Sequence, residues 1–251
     1  MRASILIVVR GIVFSGGGMF GAYHAGVWKA LSPRFAPDLV VGVSIGSLNA
    51  WLVACGCDGA TLEKHWLEGS ALQQPRLRMP RHWRQGMIDP GEAHATMQRM
   101  HRELTPSIPL GVVMRRLPWL RPVLLRGSEI SSWRHLAASC AIPLVFDLQQ
   151  LSGVTYADGG LIDPLPLFAA RDMGATSILG VNCMTWGGFG VRAPVIRPRK
   201  RLGNFATDAL RWKRSNIERW IAQGEEDANL FLKQYSSREN SLEKTFAENL
   251  F

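Results

Sequence analysis

Gly42-Val43-Ser44-Ile45-Gly46 is the stretch whose residue types and spacing point most directly to chemistry. An apolar run, Leu39 to Val43, leads into it, and a small-residue helical pattern, Ser47 to Ala54, follows. A strand that turns abruptly into a helix holds its turn residue under strain, and flanking glycines let the two backbones approach. The serine is lifted to the sheet edge above a helix N-terminus, whose free N–H groups favour developing negative charge. That is the setting of a nucleophilic serine in acyl transfer. The competing reading is a tight turn whose serine only caps the helix.

Acyl transfer also needs an oxyanion site and a base. Ser15-Gly16-Gly17-Gly18 separates an apolar run, Ile5 to Phe14, from a helical pattern through Ala22, Ala25, Trp28 and Leu31. Three successive glycines leave backbone N–H groups unshielded, which suits a phosphate or a tetrahedral oxyanion. The segment is neither a G-x-G-x-x-G fingerprint nor a P-loop, because Met19-Phe20-Gly21 follows and no Lys-Ser/Thr closes it. None of the six histidines (His24, His65, His82, His94, His101, His135) falls at a strand end after the elbow, where a Ser-Asp-His order requires one. Asp158 is the better base: it closes the strand-like run from Val154, and Gly159-Gly160 clears space beside it.

The elements that must position these groups are legible in outline. Two strand–helix units come in succession, each with glycines at the C-terminal end of its strand, where open α/β sheets place their sites. Ala137 to Pro143 is a small-residue run suited to close packing on a sheet. Leu167 to Met173 reads as a helix capped by Gly174, and Ser177 to Val181 as a strand. From Arg192 a basic patch leads into a helical pattern through Leu202, Ala209, Ile217 and Ile221, and the polar end from Ser236 is expected to be disordered. Residues 58–135 differ in composition. Between Ala71 and Arg126 ten arginines face only Asp89, Glu92 and Glu103, interleaved with Pro75, Trp83, Pro118 and Trp119. The stretch is expected to form a basic cap or insertion facing lipid, the alternative being a solvated basic surface.

At 251 residues, 47% apolar and 20% charged, the chain has the composition of one globular domain spanning 1–251, with residues 192–251 a C-terminal helical tail. A net charge of +9 implies an anionic partner, and nine tryptophans suggest a polar–apolar boundary. No nucleic-acid motif is present, so a nucleic-acid partner is not expected. Cys55, Cys57, Cys140 and Cys183 form no C-x-x-C pair and are read as reduced thiols, with no metal site. Arg10 interrupts the apolar start and no small-residue cleavage site follows, so no signal peptide is read there. No run of about 20 apolar residues occurs. The expected location is cytoplasmic, peripheral to a membrane.

Three motifs, in order, resemble the patatin-like phospholipases: Ser15-Gly16-Gly17-Gly18-Met19-Phe20-Gly21-Ala22-Tyr23-His24-Ala25-Gly26-Val27, the Gly42–Gly46 elbow, and Asp158-Gly159-Gly160. Ala138-Ser139-Cys140-Ala141-Ile142-Pro143-Leu144-Val145-Phe146 resembles a further segment of that family. The resemblance implies a three-layer α/β/α fold around a mostly parallel sheet, a Ser44–Asp158 dyad, and an oxyanion hole from Gly17 and Gly18 with Gly16 and Ile45. It implies no metal or organic cofactor. Phe20 departs from the Arg or Lys usual there, which opens neutral lipids as well as phospholipids as substrates. Two functions from different classes follow: a lipid acyl hydrolase at a membrane or droplet surface, or a non-catalytic lipid-binding module. Trp83, Trp119 and Phe146 are candidate acyl-chain contacts.

Overall fold

The computed structural model describes residues 8–69 and 75–248, with side chains as far as residue 235. The chain runs β1 (Arg10–Phe14), α1 (Ala22–Leu31), β2 (Leu39–Val43), α2 (Ile45–Ala54), α3 (Gly59–Glu68) and α4 (Gly91–Glu103). It continues with β3 (Leu110–Arg116), β4 (Arg121–Arg126), α5 (Trp133–Ser139), β5 (Gln149–Leu151), β6 (Val154–Asp158) and α6 (Leu167–Asp172). The last elements are β7 (Ser177–Val181), β8 (Val195–Ile196), α7 (Phe205–Asp208) and α8 (Arg214–Glu248). Short 3-10 turns at Gly18–Gly21 and Gly159–Leu161 follow the glycine loop and the aspartate.

One sheet holds these eight strands in the order β5-β6-β3-β2-β1-β7-β8, with β4 paired to β3. β2, β1, β7 and β8 run parallel to one another, and β3 is parallel to β2. β4 and β6 are antiparallel to β3, and β5 to β6. Alternation along the strands divides the core in two. Ile12, Phe14, Val40 and Val112 face α1, α2 and α8. Val13, Val41, Val43 and Val113 face Leu167, Ala169 and Ala170 of α6. The result is the three-layer α/β/α arrangement.

Several expectations need correction. Residues 58–135 do not form a separate cap: β3 lies inside that stretch and is a central strand, because Leu110-Gly-Val-Val-Met114 is a buried apolar run within the basic composition. Outside the sheet, that stretch contributes α3, residues 75–90, α4 and the start of α5. The strand expected from Ile5 begins at Arg10, and Ile5 to Ile7 lie outside the described residues. The stretch from Ser236 continues α8 to Glu248, since Arg, Glu, Leu and Lys favour helix. The tryptophans are not mainly an interface set: Trp28, Trp51, Trp66 and Trp220 belong to the core. All four cysteines are free, and among the described residues no helix is long and apolar enough to cross a membrane.

α8 packs on α1 at two glycines. A Cβ on Gly26 would meet the carbonyl of Ile221, and one on Gly224 would meet the carbonyl of Tyr23. Trp220, fully buried, and Tyr23 flank this crossing. Because the obstacles are backbone atoms, side-chain rearrangement cannot relieve them. Gly26→Val is therefore expected to destabilise the protein by about 3 kcal/mol, measured as a lowered denaturation midpoint.

Candidate active site

The sheet register brings the site together. β2 pairs with β3 from Val40–Leu110 to Val43–Val113. The next residue of β3, Met114, pairs with Asp158 of β6. Since β4 occupies the other edge of β3 along Gly111–Arg116, β2 and β6 share one edge, meeting end to end. Ser44 follows Val43 directly, so serine and aspartate sit at adjacent steps of the same strand edge. A Cβ on Gly159 would strike the Val113 carbonyl, so the turn after Asp158 can lie this close only with glycine there.

Ser44 has φ 54° and ψ −133°, a conformation rare for any residue with a side chain. Surrounding hydrogen bonds hold it. Its N–H donates to Ser139 Oγ (2.9 Å), which donates to Val113 O (2.7 Å), while Ser47 Oγ donates to the Ser44 carbonyl (2.6 Å). The Ser44 side chain makes no capping bond to α2, so the capping reading does not hold. Its hydroxyl is left for other work.

Asp158 is almost wholly buried, at 3% exposure. Its N–H donates to Ala141 O (2.8 Å) and its Oδ1 accepts from Gly160 N–H (2.7 Å). Its Oδ2 is buried with no partner at full hydrogen-bond geometry. Burial pushes the carboxyl up to about 6, against the opposing pulls of the Ser44 hydroxyl, the Gly160 N–H and the Arg115 charge. The serine hydroxyl is thus near enough to act on the carboxylate without a fully aligned bond. Catalytic contacts are often loose in this way before substrate binds.

Arg115 escaped the sequence reading, hidden in a run of arginines assigned to the surface. It is buried at 5% exposure, donates Nε to Gly159 O (3.1 Å) and Nη1 to Leu120 O (2.8 Å), and faces Asp158 and Asp163 electrostatically. It pins the turn that carries the aspartate. Ser139, part of the Ala138–Phe146 segment, bridges the Ser44 N–H and the Val113 carbonyl, a role its sequence context does not signal.

The glycine loop lies opposite. Gly16, Gly17 and Gly18 line one pocket of about 140 Å3 with Ser44 and Asp158. The Gly16 N–H donates to Pro164 O (2.8 Å), so it is already engaged and is not a free oxyanion donor. Gly17 (φ 151°) and Gly18 (φ 58°) have left-handed conformations, and their N–H groups have no acceptor among the described residues. Ile45 begins α2, where a first-turn N–H lacks an intrahelical partner.

A buried chain of polar groups fixes this loop from behind. Asn49 Nδ2 donates to Gly21 O (3.0 Å) and to His24 Nδ1 (3.1 Å), so the neutral ring presents its proton from Nε2 to Ser15 Oγ (3.2 Å). Ser15 Oγ also accepts from Cys183 N–H (3.0 Å), and the Cys183 thiol donates to Gly16 O (3.2 Å). Burial holds His24 down at about 3, so this ring stays neutral at physiological pH. No histidine lines the pocket that Ser44 shares with Asp158.

Ser44 also opens onto a second, apolar chamber of about 110 Å3, lined by Ile45, Leu48, Met97, Ile142 and Phe146. Of the suggested acyl contacts, Phe146 is there. Trp83 and Trp119 are 68% and 80% exposed and line neither pocket. Exposed Ile162, Trp186, Phe189 and Phe205 lie on or beside the segments that rim the Ser44–Asp158 pocket.

Fold and site together define an α/β protein with a strained serine at the end of a central parallel strand and a buried carboxylate beside it. A family model described as patatin-like phospholipase matches residues 12–109 and 119–171, and the chain belongs to that family. It is similar to lysophospholipase NTE1 of Mycosarcoma maydis, 28% identical over 186 residues, covering 68% of this chain and 9% of that protein. It is also similar to an uncharacterized NTE family protein of Mycobacterium tuberculosis, 27% identical over 201 residues, covering 72% of this chain and 53% of that protein. The chain therefore spans a small part of the fungal relative and about half of the mycobacterial one. Among solved structures, VipD from Legionella pneumophila shares the fold, with a TM-score of 0.54 at 13% identity over 91% of this chain and 67% of that one.

Asp158 titrates at about 6 in the fold against an ordinary value of 3.8, so its burial favours the protonated form. Relative stability from this group is complete below the ordinary value and is lost as pH rises through about 6. Asp158→Asn is thus expected to stabilise the protein at pH 8 by on the order of 2 kcal/mol, with the gain vanishing near pH 4, as read by thermal unfolding at both pH values.

Proposed function

We propose that this protein is a lipid acyl hydrolase working through a Ser44–Asp158 dyad. The observation that carries the reading is the unpartnered, buried Oδ2 of Asp158 beside the strained Ser44, in a pocket shared with Gly17 and Gly18. Ser44 Oγ attacks the ester carbonyl as Asp158 accepts its proton. The oxyanion forms within reach of the Gly17 and Gly18 N–H groups, with the Ile45 N–H and the α2 N-terminus adding to the field. Collapse of this intermediate breaks the acyl–oxygen bond, and the proton on Asp158 passes to the departing alcohol. Water then attacks the acyl-enzyme as Asp158 accepts its proton; collapse breaks the bond between the acyl carbon and Ser44 Oγ, Asp158 returns the proton to Oγ, and the fatty acid leaves. No step needs a metal or an organic cofactor. The apolar chamber under α4 accommodates the acyl chain.

The substrate is lipid at a surface. Residues 75–88 present Leu77, Met79 and Trp83 to solvent alongside exposed Arg76 and Arg81, with the Arg84 guanidinium 5.7 Å from the Trp83 ring. Arg78 N–H to Met87 O (2.8 Å) and Met87 N–H to Leu144 O (2.9 Å) tie this loop to the segment holding Ile142 and Phe146. Apolar tips among arginines suit an anionic bilayer, and they stand next to the chamber. A non-catalytic lipid-binding module has no observation in its favour, since it does not call for a buried carboxylate beside a strained serine.

Ser44→Ala and Asp158→Asn are each expected to lower hydrolysis of a p-nitrophenyl ester by about 10³-fold or more. In the wild type, kcat/KM should rise with pH through about 6, as Asp158 ionises, and then level off. Full turnover in either variant, or failure of a fluorophosphonate to label Ser44, would refute the dyad. Replacing Leu77, Met79 and Trp83 together by Ser should weaken co-sedimentation with phosphatidylglycerol vesicles by about tenfold or more. The same change should leave hydrolysis of a water-soluble ester intact.

A further inference from the structure

Beyond Met184 and Phe205, which form a wall of the Ser44–Asp158 pocket, a separate cavity of about 350 Å3 opens. Its lining includes Arg197, Arg199 and Arg201 and no acidic side chain. The three arginines are not equivalent. Arg199 is committed to Glu226 and Asp227, each at 2.7 Å. Arg197 is half-buried, uses one Nη to donate to Gly187 O (2.9 Å) and feels the charge of Asp163 without an ion pair to it, which leaves the rest of its donor fork unengaged. Arg201 is exposed and has no acidic partner among the described residues. Phe20 forms part of the same wall, packed edge-on against Trp220 (5.0 Å) and Phe205 (6.4 Å). The position lacking a cation in the sequence therefore borders a cavity to which a distant segment brings cations.

The order of the spaces is informative. The apolar chamber meets the Ser44–Asp158 pocket at Ser44, and that pocket meets the arginine cavity at Met184 and Phe205. An acyl ester lying across Ser44 with its chain in the chamber directs its alcohol portion towards the arginines. We propose that this cavity is a phosphate-binding subsite in which Arg197 and Arg201 hold the phosphate of a glycerophospholipid. The assignment rests on the hydrolase reading for the position of the ester, but not for the binding of phosphate itself. A guanidinium with free parallel donors suits a phosphate, and Phe20 and Leu202 supply apolar contact for the glycerol carbons.

Two measurements on the full chain test this. The first compares kcat/KM for a 1-acylglycerol 3-phosphate and the 1-acylglycerol of the same chain length. The ratio should favour the phosphate ester in the wild type. It should fall by about tenfold or more in Arg201→Ala, and further in Arg201→Glu. Arg34→Ala, past the far end of α1, removes the same charge and should leave the ratio unchanged. A ratio unaffected by either Arg201 variant overturns the subsite. The second is calorimetric titration of sn-glycerol 3-phosphate and of inorganic phosphate into Ser44→Ala protein, which reads binding even if hydrolysis fails. Tighter binding of glycerol phosphate, lost in Arg201→Glu, supports the headgroup assignment. Equal binding of inorganic phosphate assigns the cavity to free phosphate instead, and no binding of either ligand overturns the proposal.

Discussion

The constraint on which the rest depends is the shared edge of β3. β2 and β6 approach that edge from opposite ends and stop at neighbouring residues, Val113 and Met114. Residues 44 and 158, far apart in the chain, are thereby held by ladder hydrogen bonds rather than by loops. Backbone pairing fixes separation more tightly than side-chain packing does, and it is cooperative with the whole sheet. The elbow glycines, the turn at Gly159 and the bridging Ser139 hydroxyl all serve that junction.

Holding a carboxylate in such a place costs stability, and the structure shows how the cost is contained. Asp158 keeps two backbone hydrogen bonds, one from its own N–H to Ala141 and one to its Oδ1 from Gly160. Arg115 supplies positive charge without forming an ion pair with it, its donors being used on Gly159 O and Leu120 O. A direct ion pair would pull the carboxyl down and occupy its free oxygen. A neutral surrounding would push it higher still. The observed arrangement lies between these limits. The His24 chain behind the glycine loop is its uncharged counterpart, rigid and insensitive to pH across the physiological range.

The turn residues made much of this legible. Gly16 to Gly18, Gly42 and Gly46, and Gly159 to Gly160 mark points where only small residues let backbones approach, and such demands show in the sequence. The mostly parallel sheet was legible for the same reason. What stayed hidden was set by long-range pairing. Leu110 to Met114 carries a strand-like apolar run, but its arginine-rich surroundings masked it, and with it the burial of Arg115. The lining of the apolar chamber from α4 had no signal, because Met97 is that helix's one buried side chain. The closeness of Phe20 to Arg197 and Arg201 depends on β7, β8 and the return of the chain above the glycine loop, which no local pattern encodes.

The margins of the sheet carry features that oppose edge-to-edge pairing between copies of the chain. β5 and β8 have three and two residues, too short to template another chain. β4 is longer, but Arg121 and Arg126 bracket it and Pro122 removes one amide donor. Strand-by-strand aggregation is thus discouraged at each free border, even though Trp186, Phe189 and Phe205 remain open to solvent around the pocket.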